Sequence, residues 1–191
     1  MSSFENHLIL VFGVSGAGKT ATCLNYCVRN TDAVYVSASS ILKNQTGQTT
    51  EQLRLSSASV IGQNQSILTT EIDKIRRSSG SSLLIVDAHA VIDNGVLLVP
   101  VSFKVIKSLT PTGVVLLEPP AKQVVAQRAV SDRPRAVKTI EQISRELIAE
   151  RSAVQSYSIA LNVPLITLRE PNAISLASAI ADITRIVSDK Q

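Results

Sequence analysis

A glycine-rich segment near the start of the chain, GVSGAGKT at Gly13–Thr20, constrains the fold more than any other feature. An apolar run over residues 7–12 comes before it, and a helical pattern over residues 19–29 follows it. Glycines at this spacing let backbone N–H groups turn inward around a phosphate, and the following helix N-terminus adds positive potential. The alternative is a strand-to-helix turn without a ligand. The complete G-x-x-x-x-G-K-[ST] pattern in this setting favours a nucleotide site.

The motif assigns roles to individual residues but does not define a reaction. Lys19 is expected to reach the β- and γ-phosphates, and Thr20 to offer its hydroxyl to Mg²⁺. ATP and Mg²⁺ are therefore the expected cofactors. GTPases, ATPases and small-molecule kinases share this motif, but the chain contains no guanine-reading N-K-x-D sequence, which disfavours a GTPase switch. The predicted ATP-binding residues are Gly13, Ser15, Gly16, Ala17, Gly18, Lys19 and Thr20.

Short apolar runs alternate with helical patterns along the chain. The runs lack polar alternation, which indicates strands covered on both faces, and the alternation with helices predicts a parallel α/β sheet. Hydrophobic residues make up 45% of the chain and aromatic residues only 3%, so the core is expected to be aliphatic. The predicted strands are His7–Phe12, Ala33–Val36, Leu83–Val86, Gly113–Leu117 and Pro164–Leu168.

Three later helices are predicted from apolar spacing and capping patterns. One covers Gln63–Ser79, and another runs from about 140 to 160 after a capping-box sequence at residues 139–142. The last helix follows Asn172. The polar stretch over residues 44–65 is expected to form an excursion that carries a short helix. Because no repeat, linker or domain boundary is visible, residues 1–191 are predicted to form one domain.

Charge and composition limit the partners. The net charge of +4 is mild and the basic residues are mostly scattered, so we expect small anionic molecules and no nucleic acid. No apolar stretch reaches about 18 residues and no signal sequence is visible, which predicts a cytoplasmic protein without a membrane partner. Cys23 and Cys27 are too few for a zinc site and fit a reducing compartment. A homo-oligomer is left open.

Asp87 and His89 follow the third predicted strand, in the sequence LLIVDAHA. Ligands of open α/β sheets bind at the carboxyl ends of the strands, so Asp87 is a candidate for orienting Mg²⁺. The alternative is that Asp87 caps the next turn. If the strand continues, His89 points to the same side as Asp87. A lone histidine is otherwise more often structural than a ligand.

A second basic element follows the fourth predicted strand. Arg128, Arg133 and Arg135 lie within eight residues, ahead of a capped helix. Arginines on a closing loop neutralise the charge of a transferring phosphoryl group and exclude water. Lys138 is expected on a solvated face, and Glu146 and Arg151 are expected to form an ordinary surface pair.

Taken together, these parts resemble the adenylate kinases, most closely the short-lid forms of archaea and more loosely the small nuclear forms of eukaryotes. The residues that carry the resemblance are GVSGAGKT, the strand ending VDAH at residues 86–89, and Arg128 with Asp132-Arg133-Pro-Arg135. The resemblance spans nearly the whole chain. It implies a P-loop NTPase three-layer α/β/α fold with five parallel strands in the order 2-3-1-4-5. It also implies an acceptor-binding excursion over about 39–66 and a short lid over about 128–139.

The resemblance also implies an activity and its residues. The activity is phosphoryl transfer from ATP to a nucleoside monophosphate, with AMP as the first acceptor. Arg54 would hold the acceptor phosphate, Ser39 with the other residues of 37–40 would line its sugar or base, and His89 would lie between the two pockets. The implied catalytic residues are Lys19, Asp87, Arg128, Arg133 and Arg135.

Two other hypotheses keep the same donor site. One is a kinase for a different monophosphate or a small hydroxyl compound. The other is an ATPase switch or assembly factor whose slow hydrolysis drives the release of a partner. The excursion is rich in Ser, Thr and Gln and carries few charges, so the sequence leaves the acceptor open.

Overall fold

A computed structural model of the protein describes residues 7–56, 58–131 and 137–189. Strands and helices alternate along this part of the chain. In chain order the elements are β1 (His7–Phe12), α1 (Lys19–Arg29), β2 (Ala33–Ser37), α2 (Ala38–Thr46), α3 (Thr50–Arg54), α4 (Ala58–Ser78), β3 (Leu83–Asp87), β4 (Val91–Asp93), β5 (Leu98–Pro100), α5 (Phe103–Ser108), β6 (Gly113–Leu117), α6 (Ala121–Ala129), α7 (Ile140–Leu161), β7 (Leu165–Leu168) and α8 (Ala173–Ser188).

The main sheet has five strands in the order β2-β3-β1-β6-β7, and every neighbouring pair is parallel. Because β4 and β5 form a separate two-stranded hairpin, this is the predicted order 2-3-1-4-5 when only the main strands are counted. The predicted fold class is therefore confirmed. The strand β1 lies at the centre, so the segment that follows it emerges at the middle of the carboxyl edge.

Alternate side chains of β1 supply the two faces of the sheet. Leu8, Leu10 and Phe12 are fully buried on one face, among residues of α4, α5 and α7. Ile9 and Val11 are buried on the other face, among residues of α1, α6, α7 and α8. Helices therefore cover the sheet on both sides, which explains why the strands lack polar alternation in the sequence.

The long predicted helices are present with adjusted bounds. Thr139 and Gln142 form the predicted capping box of α7, in which the Thr139 N–H donates to the Gln142 side chain over 2.8 Å. The helix α4 begins at Ala58 rather than at Gln63, and α2 and α3 precede it. The excursion after β2 is therefore more helical than its Ser, Thr and Gln content predicts, because tertiary packing outweighs weak local propensity. None of the helices in the described ranges is long and apolar enough to cross a membrane.

The sequence prediction missed the hairpin of β4 and β5. Its turn is closed by the Asn94 side-chain oxygen, which accepts from the N–H groups of Val96 and Leu97 over 3.0 and 2.7 Å. The Tyr157 hydroxyl of α7 donates to the Val101 carbonyl just beyond β5. The hairpin is therefore fixed to α7, next to the segment that follows β3.

Candidate functional site

The glycine-rich segment is folded around the ammonium group of Lys19. The Lys19 Nζ donates to the carbonyl oxygens of Gly13 over 2.6 Å and Val14 over 3.3 Å, and the side chain is only 7% exposed. These two carbonyls belong to the loop itself, so the positive charge of Lys19 is held against the loop rather than in solvent. This is the arrangement that a bound polyphosphate needs.

Two glycines of the loop adopt backbone conformations that other residues rarely accept. Gly16 and Gly18 have φ angles of 85° and 87°, in the left-handed region. Gly16 also lies against Arg128, because a Cβ placed on Gly16 would stand 2.9 Å from the Arg128 Cγ. The stem of Arg128 therefore lies across the phosphate loop.

Asp87, at the end of β3, faces the first turn of α1. Its Oδ2 accepts hydrogen bonds from the Thr20 hydroxyl and from the Tyr35 hydroxyl, both over 3.0 Å. Its Oδ1 lies 3.9 Å from the Lys19 Nζ. Asp87 is thus an acceptor for two side chains inside the site. Sequence reasoning missed Tyr35, whose pKa is raised to about 12 by burial and by the charge of Asp87, so the phenol remains a donor.

Thr20 and Asp87 fit the requirements of a magnesium ion. Mg²⁺ prefers oxygen ligands and usually keeps waters and substrate phosphates in its shell, so one hydroxyl and one carboxylate are a suitable protein contribution. The two oxygens already lie 3.0 Å apart. Within the described ranges, no group of three His, Cys, Asp or Glu side chains is arranged to hold a metal alone.

Arg128 belongs to a group of four charged residues that we call the charged cluster: Asp93, Arg128, Lys138 and Glu146. The Arg128 Nε donates to the Ser15 carbonyl over 2.8 Å, and its Nη2 lies 2.7 Å from the Glu146 Oε2. Lys138 pairs with both Glu146 and Asp93. The expectation that Lys138 lies on a solvated face is therefore wrong, because two carboxylates hold it in a half-buried position.

The structure describes the predicted acceptor-side residues to different extents. Ser39 lies in the first turn of α2, and its hydroxyl is 3.1 Å from that of Ser37. His89 is half-buried and lies beyond the strand, because β3 ends at Asp87, so the condition for predicting its direction from the strand is not met. Arg54 is the last residue of α3. The side chain of Arg54, and Arg133 with Arg135 altogether, lie outside the described residues.

A family model described as an AAA domain matches residues 12–144, which is well over half of the chain. The chain belongs to the AAA domain family. The matched range contains the phosphate loop, Asp87 and Arg128, and it ends within α7 before Glu146. No curated protein sequence matches this AAA domain.

Solved structures of two kinds of kinase superpose on nearly the whole chain. Shikimate kinase from Acinetobacter baumannii, in complex with shikimate, has a TM-score of 0.63 at 21% identity and covers 98% of this chain and 97% of its own. Shikimate kinase from Bacteroides thetaiotaomicron has a TM-score of 0.59 at 8% identity, covering 95% and 98%. A sugar kinase from Janibacter sp. has a TM-score of 0.53 at 16% identity, covering 95% and 97%. These likenesses show a P-loop kinase fold.

A buried carboxylate near the site, beyond the residues that the family model matches, was missed by sequence reasoning. Glu150 of α7 is only 1% exposed and accepts hydrogen bonds from three backbone N–H groups, those of Gly13, Ala90 and Val91. Burial raises the pKa of the Glu150 carboxyl, while these amides and the Lys19 ammonium act in the opposite direction. The sequence signal for Glu150 was a charged residue at a core position among the regularly spaced apolar residues of α7.

A second buried carboxylate corrects the predicted pairing of Glu146 with Arg151. Arg151 pairs with Glu118, which follows β6 and is 3% exposed, while Glu146 pairs within the charged cluster. Arg169, just beyond β7, lies 3.6 Å from the other Glu118 oxygen. The local sequence spacing was misleading because Glu146 and Arg151 each pair with a residue outside α7.

Proposed function

We propose that this AAA domain is a kinase that transfers the γ-phosphoryl group of ATP to a small acceptor, with Mg²⁺ as cofactor. The observation that carries the proposal is the convergence of Lys19, Thr20 and Asp87 at the carboxyl edge of the sheet. Beside the phosphate loop, the Thr20 hydroxyl lies within hydrogen-bond distance and the Lys19 ammonium within ion-pair distance of the Asp87 carboxylate. The kinase-type fold supports the same reading.

In the proposed mechanism the chain binds, orients and shields the reacting phosphate. The loop amides and Lys19 would bind the β- and γ-phosphates, so Lys19 would exchange the carbonyls of Gly13 and Val14 for phosphate oxygens. Thr20 and Asp87 would hold Mg²⁺, which neutralises charge on the phosphates when bound. Tyr35 would keep the Asp87 carboxylate oriented. Arg128 lies close enough to Ser15 to reach a phosphate in the loop.

Arg128, Arg133 and Arg135 would form the short lid, over residues 128–139 of a single domain. In this proposal Arg128 leaves Glu146 when a nucleotide binds, and Lys138 continues to neutralise that carboxylate. The exchange leaves no buried charge without a partner. That condition is necessary because an uncompensated buried charge is strongly destabilising.

A nucleoside monophosphate, with AMP first, is our first candidate for the acceptor. It rests on the resemblance to adenylate kinases, in which Arg54, Ser39 and His89 would form the acceptor side. The second candidate is a small hydroxyl compound. It is favoured by three of the similar solved structures, a sugar kinase and two shikimate kinases, one of them in complex with shikimate. Both candidates use the same donor site.

The test is ADP formation from ATP·Mg²⁺ with each of AMP, GMP, CMP, UMP, dTMP, shikimate, a set of sugars and no acceptor. We expect one acceptor to raise the rate well above that of the acceptor-free reaction. Equal rates in all reactions would contradict the kinase proposal and favour the ATPase switch.

Arg54→Ala distinguishes an acceptor-binding role from a purely structural one. If Arg54 holds an anionic acceptor, Arg54→Ala raises the KM for that acceptor and leaves the KM for ATP unchanged. Arg145→Ala, at another basic position outside the proposed site, is the matched control and should change neither constant. Unchanged kinetics in both variants would remove Arg54 from the acceptor site.

A further inference from the structure

Glu150 occupies a core position in α7. The buried apolar residues Ile143, Leu147, Val154 and Tyr157 line one face of this helix. Glu150 completes their spacing of three or four residues, because it fills the seven-residue gap between Leu147 and Val154. A carboxylate at such a position loses its hydration on folding and requires compensating partners. The helix therefore carries a charge where its own packing would accept an apolar side chain.

The three partners of Glu150 come from two separate segments. Its Oε1 accepts from the Gly13 N–H over 3.0 Å and from the Ala90 N–H over 2.9 Å, and its Oε2 accepts from the Val91 N–H over 2.8 Å. Gly13 begins the phosphate loop after β1. Ala90 and Val91 come after Asp87, the last residue of β3, which is the strand next to β1 in the sheet. One carboxylate thus joins the donor loop to the segment beside the proposed acceptor pocket.

The chemistry of these contacts requires a carboxylate rather than an amide. All three partners are N–H donors, and an ionised carboxylate accepts hydrogen bonds through both oxygens. A glutamine at this position has one oxygen and one NH₂ group, so it would place a donor against the N–H of one segment. Hydrogen bonds to a charged acceptor are also stronger than neutral ones.

We propose that Glu150 is a positioning residue for phosphoryl transfer, which holds the Gly13 amide of the donor loop and the Ala90 and Val91 amides beyond β3 at a fixed separation. This role rests on the proposed function. Lys19 depends on the same contact, since it donates to the carbonyl of Gly13 whose N–H Glu150 binds. Alignment of two bound substrates supplies much of the rate of a transfer reaction, and small misplacements lower it.

The test compares Glu150→Gln with Val154→Ala in the full chain. Val154 lies one turn further along α7, is fully buried in the core, and carries no polar side-chain atom, so its truncation provides a destabilised control. We expect Glu150→Gln to lower kcat about 10- to 100-fold with little change in the KM for ATP, because ground-state phosphate contacts remain. Val154→Ala should leave both constants unchanged below its unfolding temperature.

Amide NMR of the nucleotide-free protein gives a readout that does not depend on kinase activity. We expect the Gly13 and Val91 amide resonances to shift, and their hydrogen exchange to accelerate, in Glu150→Gln but not in Val154→Ala. An unchanged kcat in Glu150→Gln would overturn the positioning role. If the unaltered protein shows no acceptor-dependent turnover, the proposed function has failed, and the amide signals still decide whether Glu150 joins the two segments.

Should Glu150→Gln fail to fold, hydrogen exchange in the unaltered protein decides the coupling. A shared acceptor predicts that the amides of Gly13, Ala90 and Val91 are protected to the same degree, because they open together. Unprotected exchange at Gly13 alongside protection at Ala90 would contradict the proposal.

Discussion

Alanine substitutions at Gly16 and Gly18 test whether Arg128 lies across the phosphate loop. The two glycines have nearly equal φ angles of 85° and 87°, so an alanine should cost about 1–2 kcal/mol of backbone strain at either position. Their surroundings differ. A Cβ at Gly16 meets the Arg128 Cγ at 2.9 Å, whereas a Cβ at Gly18 has the Thr22 hydroxyl at 4.0 Å as its nearest neighbour.

The overlap at Gly16 adds a second cost. Arg128 is held at its Nε by Ser15 and at its Nη2 by Glu146, so its stem cannot move without weakening both contacts. Overpacking of this kind typically costs about 1–3 kcal/mol. Gly16→Ala should therefore be less stable than Gly18→Ala by about 1–3 kcal/mol. For a chain of this size that corresponds to roughly 2–12 °C in Tm.

Urea unfolding of the nucleotide-free protein, followed by circular dichroism, measures this difference. Repeating both substitutions in an Arg128→Ala background isolates the contact, since only backbone strain then remains and the two costs should become equal. Equal costs in the protein that retains Arg128 would refute the reasoning, because they would mean that Arg128 does not press on the loop.

Three further predictions concern buried ionisable groups. Burial raises the pKa of both Cys23 and Cys27, so neither thiol should react readily with a disulfide reagent at neutral pH in the folded protein, and both should react after unfolding; rapid labelling of Cys23 in the folded protein would contradict its burial. All three tyrosines have raised pKa values, with Tyr35 and Tyr157 at about 12 against an ordinary 10.0. The folded state binds the tyrosine protons more tightly than the unfolded state, so the stability that the protonated phenols contribute is complete below pH 10 and is lost as the pH rises toward 12. Tyrosinate absorbance and unfolding curves, recorded over the same pH range, measure this loss. Constant stability across that range would contradict the prediction. Arg151→Gln should destabilise the protein by about 1–3 kcal/mol because it removes a charged partner from buried Glu118. The control Arg185→Gln, which breaks an exposed pair with Asp182, should change stability by less than about 0.5 kcal/mol. Equal effects of the two variants in urea unfolding would contradict the difference between buried and exposed pairs.

Local and periodic features of the fold were predictable from the sequence. The five apolar runs define the main strands within one residue at each end, and the Thr139 capping box gives the start of α7. These succeed because burial on both faces and helix capping leave signals in adjacent residues. The hairpin of β4 and β5 was missed since its strands have only three residues each, too short to show a period.

The site residues that belong to a sequence motif or to the end of a strand were predictable. The phosphate loop and Asp87 each stand at the carboxyl end of an apolar strand, so the sequence predicted that they lie close together at one edge of the sheet. Tyr35, Lys138 and Glu150 were not assigned, because each acts through a partner distant in sequence. In the sequence, Glu150 stands out as a charged residue among regularly spaced apolar residues, but this pattern does not predict which backbone amides the carboxylate will bind.

The kinase activity is tested most directly by following the γ-phosphoryl group itself. ATP carrying a radioactive γ-phosphate is incubated with the protein, Mg²⁺ and the acceptor that most stimulates ADP formation, and the products are separated. We predict that one labelled phosphoryl group appears in the acceptor for each ATP consumed, and that Lys19→Ala abolishes the transfer. Label recovered only as inorganic phosphate would contradict the account and identify the chain as an ATPase.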